Sequence, residues 1–337
     1  MLSRVANCIY WMARYIERAD NIARLVDVNL QLLLDYFQSD KTKLDQYWEP
    51  ILKSLSIEEA FHAKYQLANT DCATDFLTFD LSNPSSIKSC IRTARENARL
   101  VRDQISTEIW EEINRLYHFV NAASAEEIWE SSPSEFYRQI RQSSQIFQGL
   151  SSSTVLHDEA WEFNQIGKYL ERADMTTRIL DVKYHILLPR VEDVGGALDT
   201  FQWLVILRST SAMEAYMKTY NSDVTPLQAA EFLILNNIFP RAVRFCIRLV
   251  DSALRRLAHL REGEFSHPVE KISGKLLAEL DYSAIEDVFQ YGLHEYLDHL
   301  QVEFNHIGEA MQQTYIYSPA QEMGSEVIWH QQQIQQQ

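Results

Sequence analysis

Apolar residues recur along most of the chain at intervals of three and four, the spacing that places them on one face of an α-helix. The opening segment shows this clearly, with Met12, Ile16 and Ala23 on one stripe and Ser3 positioned to cap the first turn. The pattern predicts a long first helix over 3–37. We therefore expect an all-α fold, a multi-helix bundle.

Local start signals place further helices. Capping boxes, in which a serine caps a helix and a glutamate three residues later reaches back, begin at Ser56, Ser124 and Ser283. Pro84 and Pro226 each suit a first helical position. Together with the periodicity, these signals predict helices near 41–54, 56–69, 84–105, 107–122, 124–131, 134–150, 157–188, 200–220, 226–236, 241–262, 268–280 and 283–316.

The chain contains an internal repeat. Residues 15–34, YIERADNIARLVDVNLQLLL, match residues 169–188, YLERADMTTRILDVKYHILL, at 10 of 20 positions without a gap, where unrelated helices of this composition share about one or two. We infer two duplicated halves, 1–153 and 154–320, which form one compact two-repeat domain. The remaining residues, 321–337, are rich in glutamine and aperiodic, so a disordered tail is predicted there.

Each copy of the repeat carries the same row of charges. On a helix that advances about 100° per residue, the first row lies within about 80°, beside the apolar face. Its members are Glu17, Asp20, Arg24 and Asp27, and the second copy repeats them in type as Glu171, Asp174, Arg178 and Asp181. Arg18 and Arg172 lie about 100° away from the glutamates that precede them. Each of these arginines must therefore pair with a neighbour outside its own Glu-Arg motif.

A second pattern has the opposite sign. The helix predicted after Pro84 carries a basic row, Arg92, Arg95, Arg99 and Arg102, and the second half offers a shorter row after Pro240, Arg241, Arg244 and Arg248. Acidic and basic rows of equal pitch are expected to meet across a helix–helix interface or to converge on a pocket between the halves.

Three roles are open for these rows. They can form a buried ion-pair network that sets how the helices align, or they can be plain solvated charge. Alternatively, an arginine left over after pairing can clamp a carboxylate or phosphate, with Glu17 or Glu171 as an acid–base group or amine anchor. On this last reading Glu17, Arg18, Glu171 and Arg172 are the candidate catalytic residues, and the other members of the rows are candidate ligand-binding residues.

A metal site is the weaker alternative. Carboxylate-bridged di-iron bundles use Glu-x-x-His pairs on two helices together with two further glutamates. The pairs Glu59–His62 and Glu303–His306 fit this spacing, but a glutamate-rich chain produces such pairs by chance. The segment HEYLDH spaces its histidines by five and so does not fit the zincin pattern. No metal or other cofactor is expected.

Charge and composition restrict the partners. The formal net charge of −16 repels nucleic-acid phosphates and anionic membrane surfaces, so neither is an expected partner. No apolar run approaches the ~20 residues of a membrane span, and the four dispersed cysteines suit a reducing compartment. A cytoplasmic location is expected. No glycine-rich phosphate loop is present, so any ATP would be bound by another protein.

The segment SRVANCIYWMARYIERADNIARLVD at 3–27 resembles the opening of the bacterial Alpha-E family, named for its helices and its Glu-Arg motif. The likeness continues through FLTFDLSNPSSI at 76–87, ARENARLVRDQIS at 94–106, LRSTSAMEAY at 207–216 and FPRAVRFCIRL at 239–249. The resemblance implies two partners, a circularly permuted ATP-grasp ligase and a transglutaminase-like cysteine peptidase. Together they suggest a system that makes or trims amide bonds on a peptide.

The leading hypothesis is a helical accessory or substrate-binding subunit of such a system. It would hold an anionic peptide or an acyl-phosphate intermediate against Arg92, Arg95 and Arg99. Two other classes are kept open. One is a stand-alone enzyme, either a metal-dependent oxygenase or an amide-handling catalyst that uses Glu17 and Glu171. The other is a purely structural adaptor.

Overall fold

A computed structural model describes residues 1–36, 47–130, 132–186, 196–221 and 223–317 of the 337-residue chain. Within these ranges all regular secondary structure is helical, which confirms the all-α fold class. The predicted tail at 321–337 and part of the helix predicted over 41–54 lie outside the described residues.

The first half contains eight helices within the described ranges, α1 (Ser3–Tyr36), α2 (Trp48–Ser54), α3 (Glu58–His62), α4 (Thr70–Thr78), α5 (Ile87–Leu100), α6 (Thr107–Ala122), α7 (Ala125–Glu130) and α8 (Pro133–Ser153). The second half contains α9 (Glu159–His185), α10 (Ala197–Ser209), α11 (Met213–Tyr220), α12 (Pro226–Leu235), α13 (Val243–Leu257), α14 (Pro268–Tyr282), α15 (Ile285–Tyr291) and α16 (Leu293–Met311), followed by a π-helical turn, Gln312–Ile316.

The two longest helices, α1 and α9, pack against each other at the centre of the molecule. Helices α5 and α8 cover α1, and α13 and α16 cover α9 in the corresponding way. The short helix α2 of the first half lies on α9, while α10 of the second half lies on α1. Each half therefore completes the environment of the other half's long helix. This correspondence is geometric, and the duplication of the halves stays a prediction.

The approach of α1 to α9 is close enough to require a glycine. A Cβ atom added at Gly167 of α9 would lie 2.4 Å from the carbonyl oxygen of Tyr10 and 3.2 Å from the Cβ of Ala13, both in α1. Cβ atoms do not approach other atoms at 2.4 Å, so the contact depends on a residue without a side chain.

Two predicted helices are interrupted. The helix predicted over 283–316 breaks at Gly292, whose φ of 109° lies in the region that favours glycine. The helix predicted over 200–220 breaks at Ser211, which has a φ of 52°. Periodicity continues across both breaks, so the apolar pattern gave no sign of them.

Some start signals are wrong in position. The helix expected from Ser56 begins at Glu58 and ends at His62, and Ser56 itself has a φ of 57°. After Pro84 the helix begins three residues later, capped by Ser86, whose hydroxyl accepts from the Ser89 amide at 3.2 Å. The start at Pro226 is confirmed, because Thr225 caps that helix.

None of the described helices combines the length and the apolarity that crossing a membrane requires.

Candidate functional site

Glu171 lies fully buried in α9 and receives two arginines from α1. Arg18 donates from Nε to Oε1 at 2.5 Å and from Nη2 to Oε2 at 3.1 Å, and Arg14 donates from Nε to Oε2 at 2.6 Å. Burial acts to raise the pKa of Glu171, but the attraction of Arg18 and Arg14 outweighs it and lowers the pKa to about 2. The carboxylate is therefore ionised, with both oxygens engaged.

Glu17 occupies the matching position in α1 and is also fully buried. Arg172 of α9 holds it with two hydrogen bonds, Nε to Oε1 at 2.7 Å and Nη2 to Oε2 at 2.8 Å. Arg241 adds a third contact to Oε1 at 3.2 Å. Burial again acts to raise the pKa of Glu17, and Arg172 and Arg241 lower it to about 2.

The two Glu-Arg motifs are thus paired reciprocally. The arginine of the motif in α1 binds the glutamate of the motif in α9, and the arginine of α9 binds the glutamate of α1. This arrangement explains why each arginine lies about 100° from its own glutamate along the helix. The prediction that each arginine pairs outside its own motif is confirmed.

In the next turn of each row, the arginine forms an ion pair within its own helix and a hydrogen bond to the opposite half. Arg24 pairs with Asp20 at 2.9 Å and donates to the hydroxyl of Ser211 at 2.6 Å. Arg178 pairs with Asp174 at 2.8 Å and donates to the hydroxyl of Ser56 at 3.2 Å. Both serines have a positive φ. Each arginine therefore reaches a turn of the opposite half.

The basic rows do not meet the acidic rows, with one exception. Helix α5 packs its apolar face on α1, and its arginine row lies beside α6 and at the surface. Arg95 binds the Asn114 side chain at 2.6 Å and lies over the ring of Tyr117 at 4.5 Å. Arg99 pairs with Glu96 on its own helix at 2.8 Å. Arg92 is exposed, and so is Arg102, which lies two residues beyond the end of α5 and not on the helix as predicted.

The second basic row divides. Arg241 lies before the start of α13, not on it as predicted, and donates to Asp20 at 2.7 Å as well as to Glu17. Arg244 pairs with Asp281 at 2.6 Å, and Arg248 donates to the backbone oxygen of Asn237 at 2.7 Å. Only Arg241 of the seven predicted basic-row residues therefore forms a described ion pair with an acidic row.

Lys168 is a further buried cation beside Glu17 that the charge pattern of the sequence did not reveal. Lys168 stands at the repeat position of Arg14, one turn before the glutamate. Its Nζ lies 4.3 Å from the ring centre of Tyr169. Burial and then the charge of Arg172 lower the pKa of Lys168 to about 8. A position-by-position comparison of the two copies of the repeat would have indicated both Arg14 and Lys168.

The buried cysteines behave as packing residues. Burial raises the pKa of Cys90 and of Cys246 to about 12, so both stay as neutral thiols. Their sulfurs lie 3.8 Å and 3.6 Å from the backbone oxygens of Pro84 and Pro240, respectively.

The residues of the predicted metal alternative are not brought together. His62 pairs with Glu49 at 3.1 Å, and Glu303 pairs with His306 on its own helix at 3.1 Å. Among the described residues, ligand-type atoms converge elsewhere, at Asp181, His185 and His294, where they lie within 4.8 Å of one another. We refer to these three residues as the Asp–His cluster.

A cavity of about 310 Å³ lies at the other end of α9. Its lining includes Met12, Ser106, Ser151, Trp161 and Asn164, and it contains no residue of the Glu-Arg motifs. The motifs therefore do not form the wall of this cavity.

Comparison with known proteins finds mycobacterial relatives. The uncharacterized protein Mb2597 of Mycobacterium bovis is 25% identical over 195 residues, which cover 52% of this chain and 22% of that protein. The uncharacterized protein Rv2567 of Mycobacterium tuberculosis is 24% identical over the same length and shares. The chain thus spans about a fifth of the length of these relatives. No solved structure matches the chain significantly.

The Alpha-E family, described as a predicted alpha-helical domain with a conserved ER motif, matches residues 1–316. The Glu-Arg dipeptide occurs in this sequence at Glu17-Arg18 and at Glu171-Arg172, the two motifs that pair across the α1–α9 contact. The chain belongs to the Alpha-E family.

Proposed function

We propose that this chain is a helical accessory subunit that binds an anionic peptide or an acyl-phosphate intermediate for an ATP-grasp ligase. In this proposal the Glu-Arg motifs hold the scaffold together, and the arginine row of α5 contacts the ligand or the partner. The observation that carries the proposal is the division of the arginines. Those of the motifs are largely buried and pair across the α1–α9 contact. In the row of Arg92, Arg95, Arg99 and Arg102, called the α5 row, all but Arg95 are exposed, and Arg99 pairs only with Glu96 on its own helix.

The state of the two glutamates argues against acid–base catalysis by the motifs. A general base works best when its pKa lies near the working pH, and the pKa of Glu17 and of Glu171 is about 2. Each carboxylate is also held by two arginines. Releasing either carboxylate from its arginines would leave buried cations without a counter-charge, which costs several kcal/mol of folding free energy.

The α5 row has the features of an anion-binding surface. Arg95 and Arg102 lie over aromatic rings, at 4.5 Å from the ring of Tyr117 and 5.1 Å from that of Trp110, respectively. Stacking on an aromatic face restrains a guanidinium group while its edge stays available for a carboxylate or phosphate. This basic row stands out on a chain whose net charge is −16.

Two features support an ATP-grasp partner. The sequence contains no glycine-rich phosphate-binding loop of its own, which fits a division of labour in which a second protein binds ATP. The family resemblance points to circularly permuted ATP-grasp ligases and transglutaminase-like peptidases as companions. A purely structural adaptor is the second candidate, and it is favoured by the complete pairing of the motif glutamates.

The experiment combines the full-length chain with the ATP-grasp protein encoded in the same genome. Association is measured by analytical ultracentrifugation and product by mass spectrometry. We expect the double variant Arg92→Glu, Arg99→Glu to weaken association or product formation at least tenfold. Arg138→Glu is the matched control, because the side chains of Arg99 and Arg138 are 62% and 55% exposed and each pairs with a glutamate three residues earlier.

An adaptor would bind the ligase without altering its product, and the α5 variants would then change association alone. If the chain neither binds the ligase nor changes its product, the proposal is wrong. Equal losses in the α5 double variant and in Arg138→Glu would remove the special role of the row.

A further inference from the structure

We propose that the Asp–His cluster of Asp181, His185 and His294 binds one divalent transition-metal ion. The cluster lies where the carboxyl end of α9 meets the start of α16. This inference is independent of the proposed accessory function, because it uses none of the residues of the α5 row.

The distances suit a shared ion. Nδ1 of His294 lies 2.7 Å from Oδ1 of Asp181, and Nε2 of His185 lies 3.4 Å from Oδ2 of the same carboxylate. Zinc bonds to nitrogen and oxygen are about 2.0–2.2 Å long, so tetrahedral geometry separates neighbouring ligand atoms by about 3.3–3.6 Å. The ligand atoms of the three residues lie within 4.8 Å of one another, so side-chain movements on the order of 1 Å would bring all three to one ion.

A fourth residue orients one of the ligands. Asp298, one helical turn after His294, lies 3.5 Å from the other ring nitrogen, Nε2. In this structure Nδ1 shares a hydrogen with Asp181, so a metal ion at Nδ1 has to displace that proton. Asp298 is then placed to attract the hydrogen on Nε2, as outer-sphere carboxylates do in metal sites. The ring of Tyr184 stacks on His294 with centroids 3.7 Å apart and an interplanar angle of 3°, which restrains the imidazole further.

The chemistry of the ligands selects the class of ion. Two imidazoles and one carboxylate suit zinc or ferrous iron, whereas calcium and magnesium prefer oxygen ligands alone. Three protein ligands leave at least one coordination position for water or substrate. The imidazoles are each 21% exposed and the carboxylate is 5% exposed, so an ion can enter from the histidine side.

The first half shows the same position built as an ordinary ion pair. Asp27, the counterpart of Asp181, pairs with Arg141 of α8 at 3.0 Å and accepts from Gln31 at 2.7 Å. Gln31 occupies the repeat position of His185. A guanidinium and an amide nitrogen do not ligate metals. In the second half, two imidazoles contact the carboxylate instead. This position therefore carries three side chains that can ligate a metal ion.

The test uses untagged full-length protein freed of metal by a chelator. Zinc binding is measured by calorimetry, and cobalt binding by visible absorption, which reports nitrogen and oxygen ligands through d–d bands. We expect one ion per chain and a zinc-dependent rise in the thermal midpoint. We expect His185→Ala and His294→Ala each to lower zinc affinity by at least ~100-fold, and Asp298→Asn by ~10–100-fold.

His306→Ala is the matched control, since His306 lies on the same helix as His294 and also pairs with a carboxylate. It should bind zinc within twofold of the unmodified chain. His294→Phe keeps the ring that stacks on Tyr184 and separates lost ligation from lost folding, because it should fold without binding. Absence of saturable binding by the unmodified chain would overturn the proposal. So would unchanged affinity in a folded His294→Phe, or a cobalt–thiolate charge-transfer band.

Discussion

Arg14 and Arg18 both form ion pairs with the carboxylate of Glu171. Replacing it with glutamine keeps its volume and removes its charge, which leaves two buried guanidinium groups without compensation. We predict that Glu171→Gln lowers the free energy of unfolding by ~3–5 kcal/mol. Urea unfolding followed by circular dichroism measures this difference.

Glu135→Gln serves as the control for that substitution. Glu135 also pairs with an arginine, Arg138, but its side chain is 57% exposed. Exposed pairs contribute about 0–1 kcal/mol. If the two glutamine variants unfold at similar urea concentrations, the buried pairing does not hold the molecule together.

The lowered pKa values of Glu17 and Glu171 predict acid sensitivity. Both carboxyls have a usual value of 4.5 that falls to about 2 in the folded chain, so unfolding takes up protons between these pH values. Stability is therefore fully present above about pH 4.5 and is lost as the pH falls towards 2, by at most about 3 kcal/mol for each glutamate. Urea midpoints measured from pH 6 to 2.5 should show this decline.

The Glu171→Gln variant checks the origin of the acid sensitivity. With one of the two glutamates gone, the dependence of stability on pH in this window should become shallower. A variant with the same slope as the unmodified chain would place the acid sensitivity in other carboxyls.

At the scale of elements, the α1–α9 contact depends on Gly167. We predict that Gly167→Ala destabilises the chain by ~1–3 kcal/mol through overpacking against the Tyr10 backbone, although alanine is the better helix former. Gly149→Ala in α8 is the opposite case, because nothing lies within 4 Å of its added Cβ. It should stabilise the chain by about 0.5–1 kcal/mol.

Thermal unfolding of both alanine variants checks this pair of predictions. Their midpoints should move in opposite directions from that of the unmodified chain. A rise in both midpoints would mean that helix propensity, and not the closeness of α1 and α9, governs position 167.

Apolar periodicity predicted most of the helices, whereas capping signals located their starts less evenly. The helix over 107–122 is confirmed residue for residue, and the start at Pro226 is confirmed with its cap. The breaks at Ser211 and Gly292 were missed, because each depends on a positive φ at one residue and leaves the apolar spacing unchanged. Apolar periodicity shows which residues share one face of a helix, but it does not show where the helix is interrupted.

The candidate site divides in the same way. Helical geometry alone indicated that Arg18 and Arg172 pair outside their own motifs. Helical geometry could not indicate that the basic row of α5 does not meet the acidic rows, because that depends on which face of α5 packs on α1. The Asp–His cluster was missed for a similar reason, since Asp181 and His185 are near in sequence while His294 comes from a distant helix.

At the scale of the whole molecule, the halves depend on each other. The counter-ions of Glu17 are Arg172 and Arg241, both in the second half. We predict that the fragment 1–153 expressed alone does not unfold cooperatively, because Glu17 would be buried without its partners and α1 would lose the cover of α9 and α10. Denaturation monitored by circular dichroism and by tryptophan fluorescence measures this.

Mixing the fragments 1–153 and 154–337 should restore a cooperative transition, since all pairs are then available. A fragment 1–153 with a sharp transition of its own would show that the first half is an independent domain.

The crossed pairing of the two Glu-Arg motifs also has a consequence for descent. If the charge at position 17 changes, the charge at position 172 has to change to the opposite sign for the ion pair to persist. Positions 18 and 171 are linked in the same manner. We therefore expect substitutions in these two stretches, 154 residues apart in the chain, to occur together among homologues. A recombinant that joined a substituted α1 to an unsubstituted α9 would carry unpaired charges at the contact.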